Sequence, residues 1–451
     1  MGKDPIPTLL FRLAVPAITA QLVNALYNIV DRMYIGHMGE GGDLAITGLG
    51  VAFPVLMFIS ALSALVGMGG GSRAAIRIGE GNMDRANEIL GNCTLMLVII
   101  SVLVTAVFLP LQRPMLLLFG ATENTIGYAT QYLTIYLCGT IFVQLALGLN
   151  NFITTQGFST ISMMTVIIGA VTNIVLDPIF IFGFDMGVRG AALATVIAQA
   201  VSAIWVVCFL MGKKTKLRIQ KRYLRLNPKV LLPVVAIGVS PFIMQSTESL
   251  VSIALNSSLK MYGGDAYVGA MTIGGSIMQV LTMPFMGMAQ GAQPIIGFNY
   301  GAGKLDRVKQ TFKLLLISSV FLSTLGWALV QLFPGAFISI FNDKKELVDI
   351  AMWAIRVYMG CMFMMGIQFA CQNTFVALGQ AKISLFLALL RKIILLIPLI
   401  YILPLIFTGN QVFAVYLAEP VADVLAATAT GLIFLWKFPR ILKGREAALA
   451  E

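Results

Sequence analysis

Apolar residues fall in twelve long runs, at about 11–36, 44–70, 89–110, 126–153, 159–182, 188–211, 231–258, 266–296, 312–333, 347–375, 381–406 and 411–436. Each is close to the roughly 20 residues a helix needs to cross the hydrocarbon layer. The polar stretches between them are short, apart from one near the middle of the chain. This pattern predicts an all-α integral membrane protein with twelve transmembrane helices and both termini on one side.

Composition agrees. Of 451 residues, 58% are hydrophobic and 11% charged, and the mean hydropathy is +0.88. A soluble domain carries about 25% charged residues. The N-terminus, Met1-Gly-Lys-Asp-Pro, lacks the ordered regions of a signal peptide, so none is expected. The five cysteines all lie in apolar runs, at spacings that suit neither zinc nor a disulfide scaffold.

The net charge of +11 matters through its distribution. With the termini and alternate loops on one side, that side collects 22 basic residues. The opposite loops hold five: Arg113, Arg189, Lys260, Lys344 and Lys345. The asymmetry predicts a multi-pass protein of the cell inner or plasma membrane with both termini cytoplasmic. It is a topology signal, and no nucleic-acid partner is expected. The Gly-x-Gly loops lack a phosphate loop's lysine–serine ending and follow helices, so no ATP site is expected either.

The basic run from Lys213 to Lys229 divides two halves that match at an offset of 222 residues. Gly79-x-Gly81-x-x-Asp84-Arg85 matches Gly301-x-Gly303-x-x-Asp306-Arg307, and Phe119, Tyr136, Asn151 and Gly157 match Phe341, Tyr358, Asn373 and Gly379. Six helices per half make the copies parallel, related by a pseudo-two-fold axis along the membrane normal. The expected organisation is an N-terminal six-helix bundle (1–211), a cytoplasmic basic linker (212–230), a C-terminal six-helix bundle (231–436) and a cytoplasmic tail (437–451). Such halves build a cavity between two bundles that rock against each other.

Five acids lie within apolar helices: Asp31, Asp177, Glu248, Glu419 and Asp423. A carboxylate at mid-membrane costs about 2.5–3.5 kcal/mol on insertion scales, so it is kept where it meets protein, water or cargo. The bland alternative is structural bonding between helices. Asn173 and Asp177 are four apart and share a helix face, with Thr165 and Gly169 on the same line. In the first helix, Gln21, Asn24, Tyr27, Asn28 and Asp31 form one polar stripe. Thr195, Gln199 and Ser202 form a shorter one in the sixth, beside the small residues Gly187, Gly190, Ala191, Ala194 and Ala198. Acidic and amide oxygens of the first, fifth and sixth helices are therefore expected to meet inside the N-terminal bundle.

Asn173-x-x-x-Asp177-Pro178, Gly187-x-x-Gly190-Ala191-Ala192-Leu193-Ala194-Thr195, Asp31-Arg-Met-Tyr-Ile-Gly36 and the loop Asn299-Tyr300-Gly301-Ala302-Gly303 together resemble the MATE (multidrug and toxic compound extrusion) family. The likeness covers essentially the whole chain and leans towards the bacterial multidrug exporters. It implies that Asp31, Asn173, Asp177 and Thr195 form a coupling-cation site for H⁺ or Na⁺. One branch of the family uses a Glu in helix 7 and an acid in helix 10 instead. Glu248 fits the first role, but helix 10 offers Tyr358, Gln368, Gln372 and Asn373 and no carboxylate in its membrane stretch. Arg391-Lys392 stand where the first half has Gly169-Ala170, and Arg391 is expected to pair with Glu248, Glu419 or Asp423 because an isolated charge there is costly.

The expected function is therefore secondary transport, not enzymatic catalysis: export of organic cations and drugs by antiport with H⁺ or Na⁺, without a cofactor. Gln21, Asn24, Tyr27, Asn28, Tyr136, Gln199, Glu248, Tyr358, Gln372 and Asn373 are the candidate cargo contacts. The alternative is a flippase for a lipid-linked precursor on a related scaffold. That activity needs a basic cavity, for which Arg391, Lys392 and Arg356 are the only candidates.

Overall fold

The computed structural model describes residues 1–38, 41–340 and 345–450. Lys344 and Phe341, used above for topology and for the repeat, lie outside them. The first half runs α1 (Ile6–Gly36), α2 (Gly42–Gly79), α3 (Met83–Leu118), α4 (Ile126–Cys138), α5 (Thr140–Thr155), α6 (Ser159–Pro178) and α7 (Val188–Met211). The second runs α8 (Pro228–Gly263), α9 (Asp265–Gly301), α10 (Leu305–Leu332), a short α11 (Pro334–Ile338), α12 (Lys345–Tyr358), α13 (Met365–Ala377), α14 (Ala381–Leu389), α15 (Ile397–Ile406) and α16 (Gln411–Ala450). Among the described residues, ten spans are long and apolar enough to cross a membrane as single helices or smoothly continued ones. Two more are broken, α4–α5 with a 60° bend and α12–α13 with a 41° bend, and counting each as one span gives twelve.

The breaks follow from how their carbonyls are satisfied. A break frees backbone acceptors, which lipid cannot solvate, so neighbouring side chains must. In the first half, Thr105 of α3 donates to Leu137 O at 2.7 Å. In the second, three residues one turn apart on α10 serve the gap: Ser323 donates to Phe363 O (3.0 Å), Trp327 to Gly360 O (2.8 Å) and Gln331 to Arg356 O (2.9 Å). Hydropathy alone cannot reveal these bends, because their cause lies on another helix.

The repeat is visible in the backbone. Gly81 and Gly303 have φ of +77° and +71°, and Gly157 and Gly379 have +91° and +72°. Left-handed backbone at matching turns explains why glycine stands at both copies.

Packing divides the chain into two compact units, Val15–Ser246 and Met1–Ala14 with Thr247–Glu451. The division falls inside α1 and α8, whereas the sequence reading put it at the linker 212–230. The physical reason is local. Gly291 of α9 has no room for a Cβ beside Ala14, so the start of α1 packs closely on the second half. Gly69 of α2 likewise abuts the Val234 carbonyl of α8, and a Cβ on Gly238 would collide with the Leu65 carbonyl. The expected tail 437–451 is also not separate: α16 stays helical through Ala450, with Trp436 flanked by Lys437 and Arg440 and with Arg445 donating to Gly301 O at 2.8 Å.

The basic linker is pinned to the first unit. Gln156 Oε1 accepts from Thr215 Oγ1 and from the backbone of Lys216 and Leu217, at 2.8–2.9 Å. Asn87 Oδ1 accepts from Arg218 N at 2.8 Å, and Asn92 Oδ1 from Asn227 N at 2.7 Å. Glu88, nearly buried on α3, accepts from Arg85 (2.9 Å), Arg225 (3.1 Å) and Asn227 (3.2 Å). The corresponding turn of the other half uses a similar device, since Arg307 donates to Met1 O (2.9 Å) and Asp4 O (2.6 Å). Hydrogen bonds to a charged partner are worth about 1.5–3 kcal/mol each. Replacing Glu88 with Ala is therefore expected to loosen the linker and to speed tryptic nicking between Lys213 and Lys229 by roughly tenfold or more. Gel analysis of a cleavage time course checks this.

Candidate functional site

The buried acid of the first unit is set by the end of α6. Pro178 supplies no N–H, and the helix widens into a π turn over Ile179–Gly183. That turn lies against Gly190 of α7, where a Cβ would sit 2.8 Å from the Phe180 carbonyl. Deeper along the pair, a Cβ on Gly169 would lie 2.6 Å from Ser202 Oγ, and Ser202 donates to Thr165 O at 3.1 Å. Small residues thus bring α6 and α7 close enough for side chains from both to share one site.

Asn173, Asp177 and Thr195 meet there. Asn173 Nδ2 donates to Asp177 Oδ1 at 3.2 Å and to Thr195 Oγ1 at 3.3 Å, and all three residues are buried. From α1, Asp31 brings its carboxyl close enough to that of Asp177 for each charge to act on the other. Two carboxyls that share a site disfavour each other's ionised form. Asp31 Oδ1, Asn173 Oδ1 and Asp177 Oδ2 are buried acceptors with no donor of their own. An unsatisfied buried acceptor costs about 1–3 kcal/mol, and three in one cluster make a strong demand for a proton or a cation.

Tyrosines close the site. Tyr132 stacks on Tyr136, with ring centroids 6.2 Å apart and an 18° interplanar angle, and stands close to Thr195. Tyr27 stands within electrostatic reach of both Asp31 and Asp177. Beside them lies a cavity of about 50 Å³ lined in part by Tyr27, Asn150, Thr165, Asn173, Thr195 and Gln199. A water needs about 10–15 Å³ by the same measure, so the space suits a few waters or a small cation and excludes a drug-sized molecule. Much of its wall is apolar, with Ala146, Leu147, Val166 and Ala170, and it meets the polar cluster at Asn173 and Thr195.

Of the residues proposed from sequence, Asp31, Asn173, Asp177 and Thr195 come together, and Tyr27, Tyr136 and Gln199 lie beside them. Gln21, Asn24 and Asn28 do not line this cavity. Asn24 and Asn28 are exposed, and Asn28 Nδ2 donates to Asn24 O of its own helix at 2.8 Å. Tyr132 and Asn150 were missed. Tyr132 stands one turn before Tyr136, a spacing that signals a shared face.

In the second unit Gln372 belongs to a buried chain in which Thr430 donates to Gln368 (2.7 Å) and Gln368 to Gln372 (3.1 Å). Asn373 donates to Phe369 O of its own helix at 2.9 Å. Arg391 pairs with Glu419 (2.9 Å) and Asp423 (2.7 Å), near Tyr358, whereas Glu248 takes Lys392. Among the described residues no group of three or more His, Cys, Asp or Glu side chains is arranged to hold a metal ion.

The comparisons agree with this architecture. The MatE family model matches residues 16–179 and 241–402, one stretch in each half. The multidrug export protein MepA of Staphylococcus saprophyticus is 25% identical over 423 residues, 93% of this chain and 91% of that protein. MepA of Staphylococcus aureus is 25% identical over 431 residues, 96% of this chain and 94% of that protein. Among solved structures, the MATE multidrug transporter DinF-BH in complex with rhodamine 6G is 38% identical, with 98% of each chain covered and a TM-score of 0.90. A MATE in the bent conformation reaches a TM-score of 0.91 at 23% identity, with 98% of each chain covered. With both halves matched by the family model and a 38% identical relative spanning nearly all of it, the chain belongs to the MatE family of multi-pass membrane transporters.

Proposed function

We propose that this transporter exports organic cations and drugs by antiport with H⁺, with both termini in the cytoplasm. The observation that carries the reading is the carboxyl pair Asp31–Asp177, held on Asn173 and Thr195 beside a cavity too small for a drug. Two carboxyls this close resist being ionised together, which favours a proton as the occupant. Na⁺ is the second reading, since the same oxygens make a hard-cation site once both acids are ionised. The similarity to MepA and to DinF-BH, whose structure holds rhodamine 6G, supports drug-like cations as cargo. A flippase is less well served. Arg391 and Lys392 are both engaged by carboxylates and are not left to hold a phosphate.

In the outward-open state the pair takes its ion, cargo release follows, and the loaded protein returns inward to exchange the ion for new cargo. Asp31 and Asp177 accept and release the proton. Asn173 and Thr195 fix the orientation of Asp177, and the tyrosines keep bulk water away.

In liposomes containing the protein, an imposed pH gradient is expected to drive rhodamine 6G accumulation while a Na⁺ gradient of equal size does not. Asp177→Asn is expected to lower that flux to the protein-free rate. Uptake driven by Na⁺ alone would replace H⁺ as the coupling ion, and no uptake under either gradient, with transfer of a lipid-linked substrate instead, would turn the reading to the flippase.

Two acids in one site also set the expected stoichiometry at two protons per monovalent cation. Each net charge that crosses gains about 2.3 kcal/mol per 100 mV. Clamping about 100 mV of K⁺ diffusion potential at constant pH gradient should therefore change the steady-state dye ratio by roughly 50-fold. A ratio indifferent to potential would mean one proton per cation.

A further inference from the structure

The second unit holds an ionic cluster that the ion site does not use. Glu248 comes from α8, Glu419 and Asp423 stand one turn apart on α16, and Arg391 and Lys392 lie in a π turn, Leu390–Leu396, between α14 and α15. A regular α-helix turns about 100° per residue and would spread two consecutive cations over different faces. The wider turn sets both into one cluster, Arg391 on Glu419 and Asp423 and Lys392 on Glu248, and π turns of this kind gather at functional sites. Three carboxyls meet two cations, so the cluster is one positive charge short.

Its pairing is uneven. Arg391 uses Nε and Nη2 on Asp423 Oδ1, at 3.0 and 2.7 Å, and Nη2 on Glu419 Oε1 at 2.9 Å. Each acid thus gives Arg391 a single oxygen. The others, Glu419 Oε2 and Asp423 Oδ2, are buried with no donor, on residues 5% and 3% exposed. The ammonium of Lys392 lies instead on Glu248. The Lys392 side chain is 6% exposed, but that of Glu248 is 60% exposed. The buried acids therefore lack donors while a buried cation sits on an open carboxylate. Lys392 is close enough to Glu419 and Asp423 for their charges to act on it, and its flexible four-carbon stem carries three donors.

We propose that Glu248 is a contact for the positive charge of the cargo and that Lys392 is a tethered stand-in for that charge. With no cargo, the Lys392 ammonium neutralises Glu248. When an organic cation takes Glu248, the ammonium swings to Glu419 Oε2 and Asp423 Oδ2 and supplies the donors they lack. The idea rests on the organic-cation reading above and deepens it by giving the second unit a role in cargo recognition. Proton and covalent chemistry are untouched, since one cation simply replaces another on a carboxylate.

This exchange has consequences for selectivity and release. A neutral or anionic molecule cannot displace the ammonium, so cargo must carry positive charge. A bound cation always faces an internal competitor, which caps its affinity and favours release, and any cation of suitable reach can enter because the competition is electrostatic.

Binding of rhodamine 6G to purified protein, followed by fluorescence polarisation, tests the proposal. If the Lys392-released state is about one-tenth populated without cargo, removing the competitor strengthens binding about tenfold. Lys392→Met should then lower the dissociation constant by that factor, and Lys392→Arg, which keeps a competing cation, should stay near the wild-type value. Glu248→Gln should weaken binding, and in Lys392→Met with Glu248→Gln the gain should vanish. Glu419→Gln keeps Lys392 but removes one of its landing places, so it should weaken binding several-fold although Glu419 touches no cargo. This variant decides the matter if Lys392→Met fails to fold.

A dissociation constant unchanged or raised in folded Lys392→Met, or unchanged in Glu419→Gln, would overturn the proposal, provided that the wild type binds the dye and moves it in liposomes. If the wild type neither binds nor moves the dye, the organic-cation reading falls and this inference falls with it.

Discussion

Everything polar in this protein answers to one cost, that of holding a charge or an unpaired acceptor where water is absent. The Asp31–Asp177 pair concentrates it, since the two carboxyls stand together with buried oxygens that lack donors. The same cost explains the breaks in α4–α5 and α12–α13, which persist because Thr105, Ser323, Trp327 and Gln331 take up the freed carbonyls. It also explains why the second unit brings two cations to its three acids. Had these groups been left unpaired, insertion would have been opposed by several kcal/mol for each.

The two halves share a fold and divide the chemistry. At matching positions the first half has Gly169-Ala170, where α6 closes on α7, and the second has Arg391-Lys392. Glycine there makes a tight helix pair and leaves the acids to each other. Arginine and lysine turn the equivalent region into an ion-pair network. Duplication preserved the turns, as Gly81, Gly303, Gly157 and Gly379 show, because left-handed backbone tolerates few other residues. It left the interior free to diverge, as Gly169-Ala170 against Arg391-Lys392 shows.

Segments outside the hydrocarbon are ordered by the same need for partners. Gln156, Asn87, Glu88 and Asn92 convert a lysine-rich linker into a docked strap, and Arg307 does the like for the residues before α1. A basic loop that satisfies the membrane's charge asymmetry can therefore also carry defined tertiary contacts.

The number and rough limits of the spans, the duplication and the principal acids are legible in the chain of residues. Those features depend on local quantities, namely apolar length, the period of a helix and the spacing of Asn173 and Asp177 along one face. Who partners whom belongs to the folded molecule. Arg391 was expected to choose among three acids and takes Glu419 and Asp423, while Glu248 goes to Lys392, because a π turn redirects both cations. Tyr132 and Asn150 stand beside the buried cluster, and Asn24 and Asn28 stay out of it, according to how α1, α4, α5 and α7 rotate against one another. Rotation and partner choice are set by contacts between residues far apart in the chain, and no periodicity within a single helix encodes them.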